Sequence, residues 1–216
     1  MNSHRSVKQA QEALIAELKI QGIHNEHVLA AIGEVPRHLF IEDIFATCAY
    51  ENVALPIDCD QTISQPYIVA RMTELLLKSS WPMQRVLEVG TGSGYQATVL
   101  AQLVDEVYSI ERIKFLHAAA QQRLQSLNIN HVHLLFADGF DGWPTQAPFD
   151  GIIVTAAPKE IPAHLIEQLA MGGRLVLPLE EEGGQVLTVI DRREEGLVRA
   201  YFDPVRFVPA LHGISQ

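Results

Sequence analysis

The architecture of this chain follows from the segment Val86-Leu87-Glu88-Val89-Gly90-Thr91-Gly92-Ser93-Gly94-Tyr95-Gln96. Its apolar beginning is typical of a strand that is covered on both faces of a sheet. Three glycines follow at alternate positions, and because they lack a Cβ, the backbone there can turn sharply and approach a ligand closely. Apolar residues at helical spacing come next and predict a helix over about 96–103. We therefore predict a buried strand, a glycine turn and a helix, in that order.

The spacing of the glycines distinguishes two kinds of nucleotide-binding turn. A dinucleotide-binding fold requires G-x-G-x-x-G, which would place a glycine at position 95, where this chain has Tyr95. The order here is an acidic residue, Glu88, followed by Gly90, Gly92 and Gly94. It resembles the first motif of the S-adenosylmethionine-dependent methyltransferases, which implies that these four residues bind the cofactor S-adenosyl-L-methionine. The alternative is a loop that makes only a tight turn, because a glycine pattern alone is a weak signal.

Acidic residues follow the next two predicted strands. Glu111 ends the strand after the glycine turn, where a carboxylate can accept hydrogen bonds from both hydroxyls of a ribose. Asp138 ends the strand after that and can accept from an adenine amino group, while Gly139 leaves space beside the ring. A solvated strand-end glutamate and an ordinary Asp-Gly turn are the alternatives. Together, three consecutive strand ends fit an adenosyl ligand better than a chance glycine-rich turn does.

The order of the predicted elements indicates the fold class. Strands are expected over 86–89, 106–110, 131–137, 151–155 and 174–179, and they alternate with helices over 96–103, 112–127 and 161–170. Such alternation predicts an α/β fold: a Rossmann-like, doubly wound, mainly parallel sheet with helices on both faces. The flanking segments add helices over 6–21, 26–34, 37–46 and from 66 onward. They also add a hairpin of 185–191 with 197–202, and either one more strand or an extended flap at 205–209.

The length and composition limit the organisation of the chain. Its 216 residues, 48% of them hydrophobic, suit a single domain over 1–216, in which 1–80 is a helical extension that covers substrate and cofactor. The cofactor-binding core is expected over 81–180, and the C-terminal strands and flap over 181–216. A formal net charge of −10 disfavours a nucleic-acid partner, since phosphate binding requires clustered Lys and Arg.

The same composition bears on location and on metals. No apolar run approaches the roughly 18 residues of a membrane span, and the polar N-terminal segment does not read as a signal peptide. Cys48 and Cys59 form neither a disulfide framework nor a zinc pattern. We expect a cytoplasmic monomer that has no bound metal and no membrane partner.

Several further segments carry a more specific resemblance. Those over 52–57, 61–66, 86–96, 148–158, 172–178 and 206–209 resemble, in the same order, the characteristic segments of the bacterial protein-L-isoaspartate O-methyltransferases. The most specific of them is Gln61-Thr62-Ile63-Ser64-Gln65-Pro66. The resemblance implies an enzyme that uses S-adenosylmethionine to esterify the free α-carboxylate of L-isoaspartyl residues in damaged proteins and peptides. The ester then promotes succinimide closure, whose hydrolysis restores some normal aspartate.

The resemblance also implies roles for residues outside the cofactor motif. Ser64 matches the position of the family's active-site serine, which would orient the substrate carboxylate. Thr62, Ile63, Arg206 and Val208 would bind the substrate, with Arg206 offsetting its charge. Without the resemblance, Ser64 and Thr62 read as local caps near the start of a helix, and Arg206 as a solvated strand-end residue.

Two competing interpretations remain at this point. One is a methyltransferase that acts on a small molecule or a nucleic acid, although Thr155-Ala156-Ala157-Pro158 lacks the Asp/Asn-Pro-Pro-aromatic motif of amino-group enzymes. A Pro-Cys nucleophile for cytosine is also absent, because Cys48 follows Thr47 and Cys59 follows Asp58. The other is a non-catalytic adenosyl-binding module, which the segment over 62–66 disfavours.

Overall fold

A computed structural model describes residues 6–79 and 81–216 of the protein. The N-terminal end of the predicted extension over 1–80, including most of the polar segment that argues against a signal peptide, and Ser80 itself lie outside the described residues. Within the described ranges, no helix is both long enough and apolar enough to cross a membrane.

Two capped helices open the described chain. Helix α1 spans Val7–Ile20, and Ser6 and Gln9 form a capping box in which each side chain accepts from the other residue's backbone N–H. Helix α2 spans Glu26–Glu34, and the side chain of Asn25 accepts from two N–H groups of its first turn. Both predicted helices are confirmed, because the sequence supplies a cap for each.

The third predicted helix, over 37–46, is wrong in type. Two short 3₁₀ turns stand there instead, Arg37–Phe40 and Asp43–Cys48. They are separated by Ile41, whose backbone is extended (φ −132°, ψ 167°) and breaks the helical path.

A small hairpin precedes the central sheet. Strands β1 (Leu55–Ile57) and β2 (Gln61–Ile63) pair antiparallel across a turn, where Cys59 and Asp60 adopt left-handed conformations with φ of 59° and 56°. Helix α3 then spans Pro66–Leu77 and begins with a proline at its first turn, as predicted. The hairpin itself is a pairing that the sequence reading did not include.

The central sheet has seven strands. They are β3 (Arg85–Val89), β4 (Glu106–Glu111), β5 (Val132–Phe136), β6 (Phe149–Val154), β7 (Leu169–Glu181), β8 (Gly184–Arg193) and β9 (Gly196–Val205). Their order is β5-β4-β3-β6-β7-β8-β9, in which the first five are parallel and the last two are antiparallel to their neighbours. This confirms the Rossmann-like, mainly parallel sheet and the C-terminal hairpin.

Helices cover both faces of this sheet. Helices α4 (Tyr95–Ala101) and α5 (Lys114–Ser126) connect the strands on one side of β3, and α4 packs with α3 against inward residues such as Val86 and Ile153. Leu165 of the short helix α6 (Ala163–Glu167) packs with Leu87 and Ile152, whose side chains alternate to the opposite face. The sheet is therefore buried on both sides, and its strand ends are left to form a site.

The prediction for 161–173 requires correction. The expected helix over 161–170 shortens to Ala163–Glu167, because Leu169 already pairs with Phe149 of β6. The two glycines that follow the expected helix, Gly172 and Gly173, lie within β7, where the pairing register shifts and Gly172 has a φ of +81°. A β-bulge therefore replaces the last turn of the predicted helix, and its position depends on pairing with the distant strand β6.

Candidate active site

A cavity opens at the carboxyl ends of the parallel strands. Its floor comes from the ends of β3, β4 and β6 and from the segment after β5, as expected for a ligand site in a doubly wound sheet. Two further walls come from the hairpin and from the chain after β9. The lining residues are 61–64, Val69, 89–93, Tyr95, Gln96, 110–113, Leu116, Gly139, Phe140, Thr155, Ala156 and 208–211.

Hydrogen bonds and a close contact with Thr155 fix the conformation of the glycine turn. Gly90 has a φ of +101°, and a Cβ added there would collide with the hydroxyl oxygen of Thr155. That hydroxyl instead donates to the carbonyl oxygen of Gly90 at 2.7 Å and to that of Val89 at 3.1 Å. The N–H of Gly90 donates to the carbonyl of Ile110 at 2.9 Å. Glycine is required here both by the left-handed backbone and by the close approach of Thr155.

The carboxylate of Glu111 lies at the centre of the cavity floor. It is 4% exposed, and its two oxygens accept from the backbone N–H groups of Gly92 at 2.8 Å and Ile113 at 2.9 Å. These two bonds fix the carboxylate between the glycine turn and the start of α5. Since each carboxylate oxygen has a second lone pair, both can still accept a hydrogen bond from a ligand.

The segment after β5 carries a second fixed carboxylate. Asp138 accepts from the N–H of Phe140 at 2.9 Å through Oδ1 and from the N–H of Gly213 at 2.5 Å through Oδ2. Gly139 lines the cavity, and a Cβ at that position would collide with the side chain of Val89. A residue larger than glycine at position 139 would therefore not fit at this strand end without displacing Val89.

The hairpin forms one wall of the cavity. Thr62 and Ser64 line it, together with the buried Ile63. Helix α3 begins without a side-chain cap, so Ser64 does not serve as one. Within the described chain, the hydroxyls of Thr62 and Ser64 have no hydrogen-bond partner, and both are therefore available to a ligand.

The opposite wall is the segment 208–215, which we call the C-terminal strap. It crosses from β6 to β4: the N–H of Ala157 donates to Val208 at 2.8 Å, and the N–H of Ser215 donates to the carbonyl of Arg112 at 2.7 Å. Between these two points, the ring of His212 stacks on Phe140 with centroids 3.8 Å apart. Arg206 lies before the strap, is exposed, and makes no ion pair with any residue described.

Eight of the twelve predicted site residues line the cavity, and four are not among its lining residues. Gly90, Gly92, Glu111, Gly139, Thr62, Ile63, Ser64 and Val208 all line the cavity. Glu88, Gly94, Asp138 and Arg206 do not; Gly94 caps α4 with a φ of +86°, and the Glu88 side chain is buried inside the sheet. Burial raises the pKa of Glu88 to about 8, although the hydrogen bond from Ser109 lowers it.

Other residues of the cavity were not anticipated from the sequence. Thr155 follows β6 directly, so its place at a strand end was a usable signal. Tyr95 and Phe140 supply aromatic surface, and Arg112 donates through Nε to the carbonyl of Gly213 at 2.8 Å. The positions of Phe140 and the strap depend on contacts between distant parts of the chain, which no local pattern reveals.

Metal ligands and disulfides add nothing to this site. In the ranges 6–79 and 81–216, no group of three or more His, Cys, Asp or Glu is placed to hold a metal ion. Cys48 is partly buried, Cys59 is exposed, and both are free thiols.

Comparison with known proteins assigns the chain to a family. A family model described as protein-L-isoaspartate(D-aspartate) O-methyltransferase matches residues 8–215. The chain belongs to the protein-L-isoaspartate O-methyltransferase family. It is 54% identical to the protein-L-isoaspartate O-methyltransferase of Halorhodospira halophila and 52% identical to that of Pseudomonas fluorescens. Each comparison covers 95% of this chain, with 93% of the first relative and 97% of the second.

Solved structures of the family agree in fold. One protein-L-isoaspartate O-methyltransferase superposes with a TM-score of 0.85 at 29% identity over 94% of this chain and 67% of its own. A Plasmodium falciparum structure, assigned as a candidate member and solved with S-adenosyl-L-homocysteine, gives a TM-score of 0.82 at 26% identity over 98% and 99%. The protein is accordingly an S-adenosylmethionine-dependent methyltransferase of isoaspartyl residues in proteins, as the sequence predicted. A small-molecule or nucleic-acid acceptor is not favoured.

Proposed function

We propose that the cavity holds S-adenosylmethionine across the strand ends and the substrate carboxylate against the hairpin. The glycine turn would carry the amino-acid part of the cofactor, because residues 90–93 line the cavity and glycines let a backbone approach a ligand closely. Glu111 would accept from the ribose hydroxyls, since it lines the cavity and each of its oxygens keeps a second lone pair. Gly139 would leave room for the adenine ring and Asp138 would accept from its amino group.

The bound cofactor supplies a methyl group on a positively charged sulfur, and the chain has to bring a carboxylate to it. An α-carboxyl group has a pKa of about 3.5, so the substrate is already an anion near neutral pH and needs no general base. This agrees with the cavity lining, whose charged side chains among the described residues are Glu111 and Arg112. Holding the two reactants in attack geometry contributes about 7–11 kcal/mol in favourable cases.

The observation that carries the proposal is the pair of hydroxyls on the hairpin wall that have no hydrogen-bond partner among the described residues. Ser64 and Thr62 line the cavity and have no partner in the described chain, so each can donate to a carboxylate oxygen. Ile63 anchors them, because its side chain is buried in the N-terminal core. On the other wall, Val208 would contact the substrate main chain, and the exposed Arg206 would attract its negative charge.

The test compares two peptides that differ only in isoaspartate or aspartate at one position. With wild-type protein, labelled methyl groups are expected on the isoaspartyl peptide alone. Ser64→Ala is expected to lower kcat/KM by about 10- to 100-fold, a loss of one charge-assisted hydrogen bond, and to leave S-adenosylhomocysteine binding unchanged.

Ser126→Ala is the matched control, because Ser126 is exposed and its hydroxyl donates to Arg123 on α5, away from the cavity. Unchanged turnover by Ser64→Ala would remove Ser64 from the mechanism. Methylation of both peptides would overturn the assigned specificity.

We also propose that the chain acts as one methyltransferase domain, as a monomer in the cytoplasm, on protein and peptide substrates. The free thiols of Cys48 and Cys59 suit a reducing compartment. The net charge of −10 disfavours nucleic acid and anionic membrane surfaces as partners. Sedimentation at several protein concentrations tests the monomer, and the appearance of a dimer at micromolar concentration would contradict it.

A further inference from the structure

The acidic residue of the glycine motif does not face the cavity. Glu88 lies in β3 with 0% of its surface exposed, and its register partners are Ser109 on β4 and Ile153 on β6. The hydroxyl of Ser109 donates to its Oε2, and its Oε1 is buried without a partner among the described residues. A fully buried carboxyl group of this kind needs a reason to be there, because its burial is costly.

A chain of hydroxyl groups links this carboxyl group to the glycine turn. The hydroxyl oxygens of Ser109 and Thr91 are 2.6 Å apart, and Thr91 is a lining residue of the cavity. The next residue, Gly92, donates its N–H to Glu111. Two hydrogen bonds thus link Glu88 to Thr91 of the turn. The residue after Thr91 is Gly92, which donates to the proposed ribose acceptor.

The surroundings of Glu88 favour its neutral form. The charged group that bears on it is Glu111 of β4, a carboxylate that repels a second negative charge; the facing residues of β4 and β6, Ser109 and Ile153, are uncharged. No Lys, Arg or His of the described chain forms an ion pair with Glu88. Burial first, and Glu111 second, raise the pKa of this carboxyl group to about 8, so it keeps its proton at pH 7.

We propose that Glu88 is a positioning residue for the cofactor: as a neutral carboxylic acid it holds the turn at 90–93 in its binding shape through Ser109 and Thr91. The inference rests on the proposed function, because it assumes that the cofactor occupies this turn. When Glu88 loses its proton, a buried charge without a cation repels Glu111 and draws water toward the turn. The turn then no longer offers the backbone geometry that the cofactor requires.

The experiment measures binding of S-adenosylhomocysteine by calorimetry between pH 6.5 and 9.5. This ligand has no sulfonium charge, so attraction between an ionised Glu88 and a cationic sulfur does not enter. Its own α-amino group also titrates at alkaline pH, and only the difference between wild type and Glu88→Gln is therefore interpreted. Glutamine has the shape of the neutral acid and cannot ionise.

The wild-type dissociation constant is expected to rise about tenfold by pH 9 beyond the ligand's own contribution, one unit above the Glu88 pKa of about 8. Glu88→Gln is expected to bind within about twofold of wild type at pH 7 and to lack this additional rise. Parallel pH profiles of the two proteins would overturn the proposal. So would a folded Glu88→Gln that fails to bind at pH 7, since a neutral amide would then not suffice.

Ser109→Ala provides a second variant in case Glu88→Gln does not fold. Its hydroxyl lowers the pKa of Glu88, so its removal is expected to shift the alkaline loss of binding to higher pH and to weaken binding at pH 7 several-fold. An alkaline loss at the wild-type pH would show that another group is responsible. Thr188→Val is the control, because Thr188 is equally buried but bonds locally to Val186 on β8.

A different variant tests the proposed function itself. Glu111→Ala is expected to lose S-adenosylhomocysteine binding at every pH, whereas Glu88→Gln loses only the pH dependence. Wild-type affinity in Glu111→Ala would remove the cofactor from this cavity, and the role of Glu88 with it.

Discussion

Gly213 donates its backbone N–H to Oδ2 of Asp138 at 2.5 Å, and this bond joins the C-terminal strap to the end of β5. Asp138 is also the carboxylate that we propose as acceptor for the adenine amino group. In this proposal the strap and the cofactor would meet at one side chain, whose other oxygen accepts from the N–H of Phe140. A substitution of Asp138 should therefore affect both the strap and cofactor binding.

Asp138→Asn is expected to weaken S-adenosylhomocysteine binding about tenfold, because an amide has one acceptor oxygen where the carboxylate has two. The strap should also become more sensitive to limited proteolysis. Calorimetry and mass spectrometry of the cleavage products measure the two effects. Asp141→Asn is the control, since Asp141 is exposed on the neighbouring 3₁₀ turn. Equal effects of both variants would contradict a specific role for Asp138.

Thr155→Val is expected to reduce cofactor affinity by about three- to tenfold. Valine keeps the volume but removes the hydroxyl that donates to the carbonyl of Gly90, whereas the carbonyl of Val89 keeps the backbone N–H of Thr155 as a donor. A lost hydrogen bond of this kind costs about 1 kcal/mol. Thr188→Val, at a buried hydroxyl outside the cavity, should bind the cofactor as wild type does. Titration with S-adenosylhomocysteine distinguishes the two variants, and an unaffected Thr155→Val would show that the turn does not need this brace.

Gly90→Ala is expected to lose cofactor binding by more than tenfold and to lower the melting temperature. Gly22→Ala is its matched control: Gly22 has a similar φ of +95°, but a Cβ there meets nothing within 4 Å. Both variants bear the backbone strain of a left-handed alanine, about 1–2 kcal/mol. Only Gly90→Ala adds the collision with Thr155, so its excess loss in a thermal melt isolates that contact. Equal melting temperatures of the two variants would show that the collision with Thr155 does not lower the stability of the fold.

The ion pair between Arg174 and Asp191 should make stability depend on acid. Burial alone would raise the pKa of Asp191, but hydrogen bonds and charge from Arg174, with help from Arg193, hold it below its ordinary value. Because the folded pKa is depressed, the pair stabilises the fold above the unfolded pKa of about 3.9, and this stability is lost as pH falls through the folded value. Asp191→Asn should therefore destabilise the protein at pH 7 and much less at pH 3.

Urea unfolding at the two pH values measures this effect, with the exposed Asp105→Asn as control. The pair is partly buried, with side chains 14% and 17% exposed, so a loss of about 1–3 kcal/mol at pH 7 is reasonable. The same loss at both pH values would assign the effect to packing and not to charge.

The sequence predicted the part of the site that local patterns encode. The turn around Gly90 and the acid Glu111 follow from strand ends, and the parallel order of the sheet places strand ends together. Ser64 came from the family resemblance and not from local chemistry. Glu88 shows the limit of the motif: its place beside the glycines suggested contact with the cofactor, but strand alternation turns its side chain into the sheet.

The remaining features depend on contacts between distant segments. The segment over 169–173 joins β7 because Phe149 pairs with Leu169, and this contact outweighs the helical pattern. The strap is fixed by Ala157 and by Arg112, which are far from it in the chain. Neither position is encoded by the residues of the segment itself, so local propensity and periodicity do not reveal them.

The three segments that form the sides of the cavity are synthesised at different times. Residues 61–64 and 89–93 leave the ribosome early, whereas the strap over 208–215 leaves only after the nine strands of the described residues have been made. A nascent chain, or one cut short before residue 208, can contain every strand of the sheet and still lack one side of the chamber. If the cofactor binds in this cavity as proposed, we expect the completed chain to retain it better than fragments that have the same sheet.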